Sequence, residues 1–561
     1  MRWTRSWIRT FALILLILPV TTFPAQSSDF SAENIRGPHI EDLYMVIIRD
    51  PDAQVLALEK GDIDVLGDIT RPVDVERLSR NKDIDLSLAQ GFHGFFLGFN
   101  LRKAPWDRQE LRQGAWQSIP REQVVRDLFQ GYAAPLSSFL PPASPYYEEG
   151  IRKYPFDLSL ARKRLSDNGW TWDEDNVLIP PGADTSLEEM ELLSPTAQVA
   201  PTTAELSSRI ASSLRALGIP IEVEPMDFAT MLSKIDERDF DTYVLAWSMT
   251  RDPDSLYAFY HSSMDIKGGY NLPGIHDEEL DVILEELRWS PDEASARKAA
   301  QRSQIMLSEK VPVVPVYSRY SIGGISRKWK GVIKSDVTTV DNIWTLLNIR
   351  TSEGQEKDLY WCLADEPRSL NPFGTSSAYD WQVLGMIYDA LIAIDPYTLE
   401  DIPWLATSWK VETLSAGQGD REETLLTFRL RDDVFWQDGE PLTAADVKSS
   451  IDFLKDQGVP RYYDNVSDVL EVRILGDHEV QVRLDKASYW YLHNIGGLPV
   501  FPEHIVRDVQ DWRNWQPGKM AHPFREGLTR LIGTGPFIFR EYRPGEFVRF
   551  SRNPLFWLLD N

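Results

Sequence analysis

From Asp42 to Leu66 the apolar and polar positions change period twice. Leu43–Ile48 is a β-rich run, Gln54–Lys60 carries helical spacing, and Gly61–Leu66 reads as a second strand opened by a glycine. The same alternation continues. Phe95–Asn100 predicts a strand, and Asp107–Gly131 predicts two helices with Pro120 in the first turn of the second. Leu158–Asn168 is an amphipathic helix, and Pro201–Gly218 is a helix leading into the strand Ile219–Pro225. The strand Asp241–Trp247 ends in a polar loop, Ser248–Asp254. The stretch 350–358 is polar and aperiodic. Beyond it come a strand at Leu359–Leu363, a helix at Asp380–Leu391, and strands at Thr424–Leu430, Phe537–Arg540 and Phe547–Phe550. Strands and helices alternating in this way predict an α/β protein.

At 561 residues the chain exceeds what one core supports, so two or three lobes are expected. Its apolar fraction of 43% and charged fraction of 26% are those of a globular chain. A formal charge of −26, with no Lys/Arg-rich block, argues against nucleic acid as a partner, because phosphates would be repelled. Residues 1–28 read as an export signal. Arg2, Arg5 and Arg9 precede the apolar run Phe11–Val20, and Ala25-Gln26-Ser27 offers a small-x-small cleavage site. The apolar run is shorter than the roughly 20 residues that span a bilayer. The expectation is an extracytoplasmic protein, in the periplasm or on the outer face of the membrane, anchored only if the signal is not cleaved. Cys362 is the single cysteine, so no disulfide forms within the chain.

Glu366–Phe373 followed by Met386–Leu391, and the long motif Leu430–Val447, resemble the opening and the signature of the family 5 extracytoplasmic solute-binding proteins of ABC importers. Gly533–Phe537 and Arg552–Trp557 come next. The segments that follow in the family stand at the other end of this chain, as Ala57–Asp64, Phe96–Asn100 and Leu111–Glu122. This order resembles a circular permutation, with 350–358 as the linker joining ancestral termini. The resemblance implies a two-lobed, periplasmic-binding-protein-like fold with an accessory domain on one lobe. One lobe's core would lie at 37–92, 316–400 and 531–561, the second lobe at 93–315, and an accessory α/β domain at 401–530. Within the signature, Asp438-Gly439 reads as a turn and Thr443 as the cap of a helix with Asp446 in its first turn, which is scaffold chemistry.

Enzyme signatures are thin. His93, His261 and His276 stand apart, and no zinc, P-loop or nucleophile-elbow pattern occurs. Asp62 and Asp64 read as solvated or turn-forming, and Asp252-Pro-Asp254 lacks the further ligands of a calcium loop. Neither a metal nor a cofactor is expected. The chain's 19 Trp are more suggestive, because planar rings bury area at small entropic cost. The ligand-binding candidates are Trp247, Thr250, Asp252, Tyr379 and Trp381 on the walls of one inter-lobe cleft, with Asn271 as a further polar group. In peptide binders of the family an Asp three positions after the strand-ending Trp holds the peptide's α-ammonium. Here that position is Thr250, which lacks the charge, so Asp252 is the substitute and an oligosaccharide competes with a peptide as ligand. The expected function is a non-catalytic, monomeric receptor that closes on its solute and delivers it to an ABC permease. The alternatives are an exported hydrolase on a binding scaffold and a ligand-sensing partner of a membrane receptor.

Overall fold

The computed structural model describes residues 34–198, 200–267, 269–351, 357–375, 377–415 and 422–559. The predicted export signal at 1–28 lies outside the described residues, as do 352–356 of the predicted linker. Among the described residues no helix is long and apolar enough to cross a membrane.

Three sheets organise the chain. The seven-stranded sheet runs, in spatial order, Phe537–Arg543, Phe547–Arg552, Asp42–Ile47, Asp358–Leu363, Val65–Leu66, Ser321–Ser326, Ile84–Ala89. It draws strands from both ends of the chain. Asp42–Ile47 pairs parallel with Asp358–Leu363 on one side and antiparallel with Phe547–Arg552 on the other. Its burial alternates strictly, placing Leu43, Met45 and Ile47 in the core. At about 1.5–3 kcal/mol per buried side chain, a slip by one residue would forfeit the whole face, so the register is firmly set. The glycine-opened strand expected at 61–66 shortens to Val65–Leu66, because Gly61 adopts the left-handed conformation (φ 79°) that ends the preceding helix, Pro51–Lys60.

The six-stranded sheet runs Ala133–Pro135, Val313–Arg319, His93–Phe99, Thr242–Ser248, Met190–Pro195, Ile221–Met226. Its central strand crosses its neighbour so closely that a Cβ on Gly98 would lie 2.1 Å from the Tyr243 ring, which only glycine permits. The helix Pro201–Leu217 covers one face, burying Leu206, Ile210, Leu214 and Leu217 at helical spacing between Pro201 in its first turn and Gly218 as its C-cap. The chain passes between the two sheets at 90–92 and again at Tyr320, several residues beyond the expected boundary at 315. Val313–Arg319 stays with the six-stranded sheet because it pairs with His93–Phe99.

A four-stranded antiparallel sheet, Ala406–Ser415, Glu422–Leu430, Glu479–Leu484, Val469–Gly476, is packed by the helix Ala444–Asp456. Thr443 and Asp446 form a capping box at that helix's start, and Gly439 turns at φ 95°. The expected helix at 380–391 is shorter, Ala378–Leu384. Gly385 ends it, and the carbonyl of Ile387 then packs against Gly533 and Gly535.

Candidate functional site

In the six-stranded sheet Thr242–Ser248 runs parallel to Met190–Pro195, so its carboxyl end presents the loop 249–254 at the edge where α/β sheets carry ligands. The half-buried Trp247 indole stacks between Phe96 (4.7 Å between centroids, 19°) and Phe259 (5.3 Å, 18°). Phe259 meets the exposed Tyr270 edge-on at 5.8 Å. The result is an aromatic shelf assembled from four separate segments of the chain. Phe259 and Tyr270 escaped the sequence reading because only the fold brings them to Trp247.

Thr250 is exposed, and its hydroxyl donates to the Asp252 carbonyl at 2.7 Å while lying 2.9 Å from Ser255 Oγ. Asp252 is not free to meet an ammonium group. Its Oδ1 accepts from Arg251 Nε at 3.0 Å, and its Oδ2 lies 2.9 Å from His493 Nδ1. Arg251 continues across to Asp401 Oδ1 at 3.0 Å and to the Leu399 carbonyl at 2.8 Å. His493 Nε2 lies 2.6 Å from Asp401 Oδ2. Two cations and two carboxylates thus form one electrically balanced cluster. It ties the loop after Trp247 to residues about the four-stranded sheet. Burial pulls the His493 pKa down, but Asp252 and Asp401 outweigh it and raise the imidazole to about 9. Burial of Asp252 is likewise outweighed by His493 and Arg251, which hold its carboxyl below the usual range. Burial pushes neighbouring Asp254 up to about 6, with Arg288 only 3.9 Å away. Beside the cluster lies a cavity of about 180 Å³ lined by Tyr146, Arg297, Trp409 and Tyr489. None of this was legible in sequence, since Arg251 finds Asp401 and His493 far along the chain.

Asn271 corrects the expectation of a cleft-wall residue. It is fully buried, its Nδ2 donates to the carbonyls of His261 and Ile275, and its Oδ1 accepts from the N–H groups of Gly274 and Ile275. With both ends of the amide occupied, it shapes the 271–275 turn. His261 is not isolated either. Its Nδ1 accepts from Ser263 N–H at 3.1 Å and its ring stacks on Tyr257 at 4.2 Å. Asp64, expected to be solvated, is buried, accepts from Tyr360 N–H and pairs with Lys328 at 2.8 Å.

Tyr379 and Trp381 are half-buried on the helix Ala378–Leu384, in the connection after Asp358–Leu363. The Arg461 guanidinium lies over the Trp381 ring at 4.6 Å. Asp380 between them is fully buried and accepts from the N–H groups of Arg368 and Ser369, which holds the Glu366–Phe373 motif in place. Among the described residues no hydrogen bond, ion pair or ring contact joins this pair to the Trp247 shelf.

One cluster has the composition of a metal site: Asp438, His504 and His522. Asp438 Oδ2 lies 2.7 Å from His504 Nε2 and 2.9 Å from His522 Nε2. His522 Nδ1 accepts from the N–H groups of Phe524 and Arg525, so in the neutral ring the proton sits on Nε2, where a metal would need a lone pair. The cluster fits a hydrogen-bonded clamp on the signature turn.

Residues 34–266 and 401–561 match the bacterial extracellular solute-binding proteins, family 5 (middle region), and the chain belongs to that family. Among curated relatives it is 21% identical over 278 residues to di/tripeptide-binding protein 1 of Pseudomonas aeruginosa, covering 49% of each chain. It is 20% identical over 298 residues to heme-binding protein A of Haemophilus influenzae, covering 53% of this chain and 52% of the other. The chain therefore spans about half the length of the curated relatives it matches. A solved structure of the oligopeptide-binding protein AppA from Bacillus subtilis, with a nonapeptide, shares 18% identity at a TM-score of 0.45, covering 54% of this chain and 59% of that one.

Proposed function

We propose that this chain is a non-catalytic receptor that captures a peptide-class solute outside the cytoplasm by lobe closure and presents it to an ABC import permease. The observation that carries the reading is the union of shelf and bridge. The loop that begins at Trp247 is the loop pinned to Leu399, Asp401 and His493, so solute stacking on the shelf and inter-lobe contact are mechanically one event. Trp247, stacked between Phe96 and Phe259, holds the shelf whose exposed ring, Tyr270, meets the solute; Thr250 adds an exposed hydroxyl, and Tyr379 and Trp381 a further aromatic wall. Asp252 acts through the bridge, outside direct contact with solute. The di/tripeptide- and dipeptide-binding names among the relatives favour the peptide half of the expectation over the oligosaccharide half.

The domain reading belongs to this proposal. The seven-stranded sheet is the core of one lobe, the six-stranded sheet that of the other, and 401–530 is the accessory domain on the first. The chain order is a circular permutation of the family's. It is supported by Asp42–Ile47 lying between a strand from the middle of the chain and one from its end. Calorimetric titration with a di- and tripeptide panel tests the function. Saturable binding that is lost in Trp247→Ala supports it. Binding to none of the panel, with native mass spectrometry finding a co-purified solute of another class, overturns it.

A further inference from the structure

A second cavity, of about 330 Å³, shares no lining residue with the one beside the Arg251 bridge. Its walls are the segment Pro367–Asn371, the 513–519 turns and the strand Phe537–Arg543. The chain as a whole carries 85 acidic against 59 basic residues, yet here the balance inverts. Arg368, Arg513, Lys519 and Arg540 line the cavity, with Glu541 as the only carboxylate among its lining residues. Glu541 already pairs with Arg543 at 3.1 Å. Among the described residues Arg368, Arg513 and Lys519 form no ion pair. The Arg540 guanidinium is held by neutral acceptors, Ser551 Oγ at 2.7 Å and the Gly527 carbonyl at 3.1 Å. Its charge is therefore fixed in position without being neutralised. Trp515 lines the cavity as well, at 7% exposure, with its ring stacked on Phe373 at 5.3 Å. The floor around Gly518 is apolar, formed by Leu370, Leu531 and Phe539.

We propose that this cavity is a second binding site, distinct from the inter-lobe cleft, for a small organic anion: a carboxylate or phosphate carried on an apolar body. The apolar part rests on the Leu370–Phe539 floor, and the anionic head meets the cations. Because Arg368 and Ser369 donate their N–H groups to Asp380, occupancy also stiffens the segment before Tyr379 and Trp381.

Calorimetry on the full chain at low ionic strength, with benzoate, phenyl phosphate and the neutral twin benzamide, tests this. The expected result is saturable binding of at least one anion and none of benzamide. Which anion binds more tightly distinguishes a carboxylate ligand from a phosphate one. Arg513→Gln combined with Lys519→Gln should weaken that binding at least tenfold. Gly518→Val should do the same by filling the floor, where an added Cβ meets Leu531, Leu370 and Phe539 at ordinary contact distances of 3.5–3.6 Å. Trp247→Ala should leave it unchanged, so this result stands or falls separately from the peptide reading. No saturable binding of either anion, equal binding of benzamide, or undiminished binding in both cavity variants overturns the proposal.

Discussion

The backbone N–H of Gly37 donates to the carbonyl of Leu558 at 3.1 Å, so the first and last described segments of the chain are hydrogen-bonded neighbours. Arg552 N–H reaches the Glu41 carbonyl at 2.7 Å in the same strand pair. Segments so placed permit a rearranged order. A gene encoding residues 357–559 followed by 34–351 should give a soluble protein with one cooperative unfolding transition. Its stability should lie within about 1 kcal/mol of the natural order, the scale of exchanging one short loop for another. An insoluble product, or separate transitions for the two pieces, would count against the permuted reading.

Trp247→Ala should weaken peptide binding by on the order of 1–3 kcal/mol, because the shelf loses the ring that Phe96 and Phe259 pack against. Titration calorimetry reads the affinity and thermal unfolding reads the fold. If unfolding collapses while the remaining folded protein binds as before, the indole is only a packing element between Phe96 and Phe259.

The Arg251–Asp252–His493–Asp401 cluster should make the stability of the folded protein sensitive to alkaline pH. His493 titrates near 9 in the folded protein against 6.5 ordinarily. Its charged form therefore stabilises the bridge fully below about pH 6.5, and that contribution is lost as pH rises through 9. The shift corresponds to on the order of 3 kcal/mol. Melting temperature in the natural protein should fall between pH 7 and 10 more steeply than in His493→Asn. Parallel curves for the two would show that His493 does not carry the effect.

Because Thr250 is neutral and Asp252 is engaged by Arg251 and His493, a free peptide amine has no dedicated carboxylate here. A peptide and its N-acetylated twin should bind within a few-fold of each other. A charge-assisted bond to a buried carboxylate would separate them by on the order of 1.5–3 kcal/mol. A preference of that size would show that the bridge opens to release Asp252 to the ligand.

Asn271→Ala should destabilise the fold by on the order of 2–3 kcal/mol, since two N–H groups and two carbonyls lose their partner in a fully buried turn. Peptide affinity measured well below the melting temperature should stay unchanged. A loss of affinity without loss of stability would return Asn271 to the cleft wall.

Local pattern and tertiary structure answered different questions in this protein. Strand periods at 43–48, 241–247 and 359–363, the proline and glycine at the ends of the helix 201–217, and the Thr443–Asp446 box were all readable in order along the chain. Each depends on residues a few positions apart, and the physics of backbone and cap is local at that range. So was the presence of the family's motifs at both ends. The shorter helix after Ala378 was not readable, because it stops where Ile387 must pack against Gly533 and Gly535. Nor were the burial of Asn271, the stacking of Phe259 on Trp247, or the bridge from Arg251 to Asp401 and His493. Periodicity reports which side of an element is apolar, but it carries no record of which distant charge will stand opposite. Those partners meet only after the strands have paired and the loops have been carried together, so only the tertiary structure decided that Asp252 holds the bridge to Arg251 and His493 while Trp247 stacks between Phe96 and Phe259.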